Sequence, residues 1–309
     1  MTHLLDTEDA ATMNGIRAMV SSMKGMARGI EARQPFDALM ESVQPRSDVT
    51  FETDTVGGIP GLWVRPTHSR SDEAILHLHA GWFILGTAKA FRHLVGQLAA
   101  RVGAKTFIPD YRLAPENPFP AAVEDVLACY RGLETAGIQR IAITGDSAGG
   151  NLALVLASRV TAEDFSAKAT LVGVAAMSPV TDLSLSGETY KTRADADPFF
   201  TRSQVSELVH AYLRSTDPKH PLASPLHGRF SGLPAICIHV GDDELLLDDS
   251  RRYVERAVSA GVDATLDVWM GMPHGFAANI GKVKASAQAL DAMGTFLAEK
   301  FRASTAARR

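Results

Sequence analysis

The clearest candidate for chemistry is a serine between glycines. Residues 145–149 read Gly-Asp-Ser-Ala-Gly and lie between an apolar strand-like run, 140–144, and an apolar helical pattern, 151–160. A serine on a sharp strand-to-helix turn has a strained backbone, and small neighbours leave room for that turn. The turn lifts the hydroxyl above the sheet edge and points the amide of Ala148 toward a reacting carbonyl oxygen. We therefore predict that Ser147 is a nucleophile.

A serine hydroxyl needs a base beside it, and in hydrolases with this turn the acid and then the histidine follow the serine along the chain. His210 lies in a helical pattern, and His239 lies in a buried strand. His220 and His227 lie in a loop that contains prolines. His274 follows the strand 266–269 in a loop, where a mobile base is expected, and it is our predicted base.

The acid is expected in the loop after the strand 235–240. Residues 241–249 read Gly-Asp-Asp-Glu-Leu-Leu-Leu-Asp-Asp, which offers too many carboxylates for chemistry alone to choose between them. One of them should face His274 and hold its imidazole in the right tautomer. Asp248 or Asp249 could instead cap the helix that begins there.

The elements that must position these residues alternate between short apolar strands and amphipathic helices from about residue 74 onward. This alternation predicts an α/β fold with a mostly parallel central sheet and helices on both faces. Residues 183–213 interrupt this alternation with a polar stretch and a further helix. They are predicted to lie over the sheet as part of a cap.

The first residues predict one amphipathic helix over 7–30, with Asp6 as its N-cap. Its apolar face either docks on a core or, being rich in flexible methionines, lines an adaptable cavity, and both can hold at once. The residues of this face are Met13, Ile16, Met19, Met23, Met26 and Ile30.

Composition excludes several function classes. The 309 residues are 46% hydrophobic and carry a formal charge of −4, so nucleic acid is a poor default partner. We expect no membrane span and no signal peptide, hence a cytoplasmic protein. Cys129 and Cys237 are interpreted as buried free thiols, with a disulfide left open, and the histidines show no metal-binding pattern, so we expect no metal and no cofactor.

Five further segments are distinctive: 79–86 (HAGWFILG), 110–116 (DYRLAPE), 145–151 (GDSAGGN), 196–199 (ADPF) and 271–274 (GMPH). Together they resemble the hormone-sensitive lipase family of microbial esterases, a branch of the α/β-hydrolase fold. The resemblance runs from about residue 75 to 301.

The resemblance also implies roles. In this family the acid is followed by x-Leu-x-Asp, which Glu244 fits as the triad acid; Asp243 is the alternative and needs a one-residue shift. The oxyanion donors would be the amides of Gly81, Trp82 and Ala148. The family pattern His-Gly-Gly-Gly here reads His-Ala-Gly-Trp, so we expect Trp82 to take a negative φ or to be strained. Its indole either narrows the acyl pocket or packs outward.

The function expected from the resemblance is that of a serine carboxylesterase acting on short- to medium-chain esters through an acyl-enzyme. A lactone, amide or carbamate hydrolase with the same triad is the alternative. Plant hormone receptors similar to this family suggest a non-catalytic binding protein, but they depart from the triad at the histidine that is present here. We expect a cap at 1–45, a core at 46–309 with a cap insertion at about 183–215, a small-molecule ester or lactone as substrate, and a homodimer as one assembly.

Overall fold

In the computed structural model, which describes residues 1–25 and 29–306, nine strands form one sheet. The strands are β1 (Thr2–His3), β2 (Val49–Val56), β3 (Ile59–Pro66), β4 (Glu73–Leu78), β5 (Thr106–Pro109), β6 (Arg140–Asp146), β7 (Thr170–Met177), β8 (Ile236–Gly241) and β9 (Ala264–Trp269). Their order across the sheet is β1-β9-β8-β7-β6-β4-β5-β3-β2. Only β3 pairs antiparallel, with β2 and β5, so the predicted mostly parallel sheet is confirmed.

Helices cover both faces of this sheet. They are α1 (Thr7–Val20), α2 (Arg33–Glu41), α3 (Ala88–Val102), α4 (Ala121–Thr135), α5 (Ala148–Val160), α6 (Thr189–Thr192), α7 (Arg202–Leu213), α8 (Leu247–Ser259) and α9 (Lys284–Ala306). Of the two largest apolar clusters, one joins the sheet to α3 and α9, and the other joins it to α4, α5 and α8. Buried strand residues therefore alternate between two apolar layers, as a doubly covered parallel sheet requires.

Local signals set the ends of the helices that position the site. Thr87 caps α3, because its Oγ1 accepts a hydrogen bond of 3.1 Å from the amide of Ala90. The same helix ends at Gly103, whose φ of 72° continues the chain in the left-handed region. The helix returns the chain to the end of the sheet at which β4 began. The next strand, β5, therefore runs parallel to β4.

The N-terminal helix is shorter than the sequence predicts. Asp6 caps α1 as expected, accepting from the amide of Glu8 at 2.8 Å. The α-helix ends at Val20 and not at residue 30, because Ser21–Met23 tighten into one turn of 3-10 helix and the chain then leaves the helical conformation, with Lys24 extended and Gly25 at a φ of 86°. The predicted face splits accordingly: Met13 is 2% exposed, whereas Met19, Met23 and Ile30 are exposed and Met26 lies outside the described residues.

Two of the contacts that anchor the chain before α2 to the core involve β1 and the first turn of α1. The edge strand β1 pairs with β9, and the His3 ring stacks on Trp269 with 3.8 Å between ring centroids. Asp9 accepts hydrogen bonds of 2.7 and 2.8 Å from the amides of Lys284 and Ala285, the first residues of α9. A carboxylate at a helix N-terminus is stabilising, so Asp9 links α1 to α9.

The segment between β7 and β8 carries α6 and α7 and packs on the loop after β4. Thr201 and Gln204 form a capping box at the start of α7. Tyr212 of α7 stacks on Phe83, with 3.8 Å between ring centroids.

Both cysteines are free and buried, which confirms their interpretation as buried free thiols. Within the described ranges, none of the helices is long and apolar enough to cross a membrane.

Candidate active site

Ser147 lies on a strained turn between β6 and α5. Its φ of 56° and ψ of −117° are unusual for a residue with a side chain. A Cβ atom on Gly149 would lie 1.8 Å from the Leu78 carbonyl oxygen, and one on Gly145 would lie 2.3 Å from the Gly149 carbonyl oxygen. These close approaches explain why glycines flank the serine. The amide of Ala148 opens α5, so it has no acceptor one helical turn earlier and is free to bind an anion.

His274 and Glu244 form a hydrogen-bonded pair in which Glu244 is buried and His274 is largely buried. His274 Nδ1 lies 2.7 Å from Glu244 Oε2. Glu244 is completely buried, and its other oxygen accepts hydrogen bonds of 2.7 Å from the Ser178 hydroxyl and from the Gly241 amide. A buried carboxylate is costly unless hydrogen bonds satisfy it, and three of them do so here. Glu244 binds Nδ1, so Nε2 is the imidazole nitrogen that this pair does not use.

The charge environment of His274 favours its protonated form. Burial acts to lower the pKa of His274, but the hydrogen bond and charge of Glu244 outweigh it, with smaller contributions from Asp197 and Asp146, so that this pKa lies above its usual value. A histidine whose pKa lies above 6.5 accepts a proton readily near neutral pH.

The other carboxylates of this loop have partners of their own. Asp243 pairs with Arg17 of α1 at 2.5 Å. The capping role expected for Asp248 or Asp249 is wrong, because α8 begins after Leu246 without a side-chain cap. The two carboxylates bind backbone amides of the segment after β7 instead: Asp248 binds that of Thr189, and Asp249 binds those of Thr181 and Asp182.

Trp82 is strained, the second of the two outcomes expected for it. Its φ is 53°, and the next residue, Phe83, has a φ of 63°, so two aromatic residues in succession occupy the left-handed region. The Trp82 side chain is only 4% exposed and packs edge-to-face on Phe200, with 5.6 Å between ring centroids. Phe200 in turn packs on the His274 ring at 5.5 Å. The indole therefore lines the site and does not pack outward.

A cavity of about 650 Å³ joins these groups. Ser147, His274, Gly81 and Trp82 line it together. Its other walls are mainly apolar and come from α1, α2, α3, α7 and α9 and from the aromatic segment after Asp197. An apolar cavity with a few converging polar groups is typical of a small-molecule site.

Three residues of the site are not identified from the sequence. Ser178 follows β7 with a φ of 47° and binds Glu244. Asp197, in the quoted 196–199 segment, accepts hydrogen bonds from the amides of Phe199, Phe200 and Leu245, and so ties the aromatic segment to the Glu244 loop. Arg17 is the third. The strand end before Ser178 and the sequence around Asp197 were available signals, whereas nothing distinguishes Arg17 from other helix arginines.

Arg17 bridges α1 to three loops around the site. Its guanidinium donates to Asp243 at 2.5 Å, to the Gly271 carbonyl at 3.1 Å and to the Ala196 carbonyl at 2.6 Å. These acceptors lie beside Glu244, in the His274 loop and beside Asp197. Because five N–H groups in a rigid plane suit several acceptors at once, an arginine is well suited to fix three loops relative to one another.

We expect Arg17→Met to lower kcat/KM for a turned-over ester by roughly ten- to hundredfold, because small displacements of reacting groups have effects of this size. The measurement is made well below the melting temperature and normalised to the concentration of folded protein, so that a simple loss of stability does not lower it. Arg46→Met, which breaks the exposed pair between Arg46 and Asp48, is the matched control and should leave kcat/KM unchanged. Equal values for both variants would contradict a positioning role for Arg17.

One cluster of potential metal ligands occurs in the part of the chain that the structure describes, formed by Cys237, His239 and Asp267. Trp269 Nε1 donates to His239 Nδ1 at 3.0 Å, so a neutral His239 carries its proton on Nε2, the nitrogen that lies 3.2 Å from Cys237 Sγ. Burial also raises the pKa of Cys237 to about 12. Metal binding needs a thiolate and an unprotonated nitrogen, so these contacts favour a hydrogen-bonded cluster over a metal site.

The α/β hydrolases as a class have a mostly parallel, doubly covered sheet and a serine on a strained strand-to-helix turn, and this chain has both, with Glu244 and His274 in loops after later strands. Residues 75–278 match a sequence family described by the alpha/beta hydrolase fold. The chain belongs to this α/β-hydrolase family, and its resemblance to hormone-sensitive lipase family esterases is confirmed by the relatives that follow.

The relatives are esterases. An acetyl-hydrolase of Streptomyces hygroscopicus is 38% identical over 71% of this chain and 73% of its own length. An esterase of Acinetobacter venetianus is 32% identical over 79% of this chain and 80% of its own. A crystal structure of a bacterial hormone-sensitive lipase family esterase superposes with a TM-score of 0.88 at 33% identity, covering 94% of this chain and 98% of that one. The protein is a carboxylic ester hydrolase.

Proposed function

We propose that this esterase hydrolyses short- to medium-chain carboxylic esters through a covalent acyl-enzyme on Ser147. The observation that carries the proposal is the buried contact of 2.7 Å between His274 Nδ1 and Glu244 Oε2, in a histidine that lines the same cavity as Ser147. A histidine oriented by a buried carboxylate and placed with a serine on a strained turn is the arrangement that activates a hydroxyl.

In the first half-reaction, His274 Nε2 takes the proton of Ser147 Oγ as this oxygen attacks the ester carbonyl carbon. Glu244 stays ionised and stabilises the imidazolium through Nδ1. The carbonyl oxygen becomes an oxyanion, which the amides of Gly81, Trp82 and Ala148 bind. The tetrahedral intermediate then collapses: the bond to the alcohol oxygen breaks, and the alcohol leaves with the proton that His274 returns.

Water repeats these steps on the acyl-enzyme. His274 takes a proton from the water as its oxygen attacks, the bond to Ser147 Oγ breaks, and the serine regains its proton while the acid departs. Each oxyanion donor contributes about 3–4 kcal/mol in comparable hydrolases. The strain at Trp82 supports its place among these donors, because unusual backbone angles persist where surrounding contacts hold them for a function.

The proposed acyl length is supported by the cavity and by one relative. The volume of about 650 Å³ exceeds what an acetyl group needs, while a related protein is an acetyl-hydrolase. A series of p-nitrophenyl acetate, butyrate, octanoate and palmitate tests the proposal by kcat/KM, with the highest value expected among the first three. Mass spectrometry of enzyme quenched during turnover should find the protein heavier by one acyl group. Turnover without this adduct, in single-turnover experiments, would contradict the covalent mechanism.

A further inference from the structure

Asp197 is a buried carboxylate in the segment between α6 and α7, and it is only 1% exposed. Its Oδ1 accepts hydrogen bonds of 2.8 and 2.9 Å from the amides of Phe199 and Phe200. Its Oδ2 accepts a hydrogen bond of 3.0 Å from the amide of Leu245. A buried charge is costly unless hydrogen bonds satisfy it, and these three amides do so for Asp197.

These amides connect Asp197 to two neighbours of His274. Leu245 directly follows Glu244, whose Oε2 lies 2.7 Å from His274 Nδ1. Phe200 packs edge-to-face on the His274 ring, with 5.5 Å between ring centroids. One carboxylate therefore fixes the backbone beside the acid and the backbone of the aromatic ring that packs on the imidazole.

This bonding pattern needs a carboxylate at position 197. Both oxygens of an aspartate accept hydrogen bonds, whereas an asparagine has one acceptor oxygen and an NH₂ group that only donates. An asparagine would place that NH₂ group against the amide of Leu245 or against the amides of Phe199 and Phe200. An amide side chain of the same size therefore cannot keep both connections.

The charge of Asp197 also acts on His274. Burial raises the pKa of Asp197 above its usual value, and the three amides and the charge of His274 act against this rise. For His274, burial acts to lower the pKa, the hydrogen bond and charge of Glu244 outweigh it, and Asp197 and Asp146 add to the rise. Three carboxylates therefore favour the imidazolium, and Glu244 has the largest effect among them.

Nearby arginines have other carboxylates as partners. Arg193, in the same segment as Asp197, pairs with Asp242 at 3.8 Å. Arg17 of α1 pairs with Asp243 at 2.5 Å. In the part of the chain that the structure describes, Asp197 itself forms no ion pair. Its negative charge is therefore not neutralised by a cation and can stabilise a positive charge on the imidazole.

We propose that Asp197 is a second carboxylate of the active site and a positioning residue for His274. It holds Glu244 and Phe200 against the imidazole through backbone amides, and its own charge stabilises the imidazolium together with that of Glu244. This inference rests on the proposed function, because the imidazolium forms when His274 takes the proton of Ser147.

Asp197→Asn and Asp195→Asn form a matched pair for the test. Both remove one carboxylate from the same segment, but Asp195 is exposed. Asp197→Asn is expected to lower kcat/KM for p-nitrophenyl butyrate by roughly ten- to hundredfold, the effect of small displacements of reacting groups. The rise of kcat/KM with pH should also move to lower pH, because a charge that favours protonated His274 is lost. Asp195→Asn should change neither quantity.

The Glu244→Gln variant separates the charge of Asp197 from its effect on the Glu244 loop. If Asp197 acted only by holding that loop, adding Asp197→Asn to Glu244→Gln would not lower the pKa of His274 further. We expect a further fall. The pKa of His274 is measured by NMR from the pH dependence of its imidazole resonances, which does not require turnover.

Asp197→Ser serves if the asparagine variant does not fold. A serine hydroxyl accepts hydrogen bonds from amides that follow it in a turn and carries no charge, so the pKa of His274 should again fall. An unchanged pKa of His274 in the folded variant, or a fall that disappears in the Glu244→Gln background, would overturn the proposal. Absence of ester turnover by the unmodified protein would overturn the proposed function, and the titration of His274 would still test Asp197.

Discussion

Ser147→Ala is expected to lower kcat for p-nitrophenyl butyrate by about 10⁶-fold, the loss found when the nucleophile of a serine hydrolase is removed. The substitution removes a single oxygen. Alanine keeps the Cβ atom, so the strain at a φ of 56° and the packing of α5 are unchanged. Hydrolysis faster than that in water should persist, because the oxyanion amides and the apolar cavity do not depend on the serine hydroxyl. The measurement is the initial rate, with thermal unfolding as the check on folding.

Ser178→Ala is the matched control, since it also removes one buried hydroxyl. Ser178 donates to Glu244, which keeps two further hydrogen bonds, so we expect a loss of about tenfold or less, in line with about 1 kcal/mol for one hydrogen bond. Similar losses for the two variants would mean that Ser147 is not the nucleophile. An unmodified protein that binds esters but turns none over would support the non-catalytic interpretation.

The sequence predicts the central part of this fold because its strands have a local signature. β4 through β9 are short apolar runs separated by amphipathic helices, and a sheet buried on both faces leaves that pattern in any such chain. The strands at the two edges of the sheet leave weaker signals in the sequence. β2 is exposed at six of its eight positions, and β1 has two residues whose partners lie 266 positions further along the chain. Such pairings depend on the assembled sheet edge and not on local residue preference.

The candidate site also has residues that the sequence predicts and residues that it does not. Ser147 and His274 can be located because the strained turn at Ser147 needs glycines and His274 follows a strand, and both features are visible in the sequence. Glu244 could not be separated from Asp243 by chemistry alone, because both are carboxylates of one loop. The structure separates them by partner: Glu244 faces His274, and Asp243 faces Arg17.

Contacts from α1 and α2 to the site loops could not be predicted because they join surfaces distant in sequence. Arg17 of α1 binds the loops around Glu244 and His274, and Arg33 of α2 donates to the Ile84 carbonyl, in the loop that contains Gly81 and Trp82. Each of these two helices therefore contributes one arginine to a different group of site loops. Both helices also line the cavity, and sequence periodicity indicates their apolar faces but not these polar contacts.

Glu244→Gln and Asp243→Asn form a matched pair for testing the acid. Each replaces a carboxylate by an amide of the same size in the same loop. Glu244→Gln is expected to lower kcat by roughly 10⁴-fold, because an amide no longer stabilises the imidazolium and favours the wrong tautomer. Asp243→Asn should lower it by less than tenfold, since the pair with Arg17 is partly exposed and Arg17 keeps its two carbonyl acceptors. The reverse order of effects would assign the acid to Asp243.

The pH dependence of kcat/KM distinguishes a charge effect of Glu244 from a purely structural one. His274 acts as a base only when unprotonated, so kcat/KM rises with pH through the pKa of His274, and in the unmodified protein this rise is expected above pH 6.5. Burial lowers that pKa and Glu244 raises it, so removing the carboxylate leaves burial dominant. The rise should move to lower pH in Glu244→Gln and stay in place in Asp243→Asn. A loss of activity in Glu244→Gln without this movement would mean that Glu244 supports the loop but does not act on the imidazole.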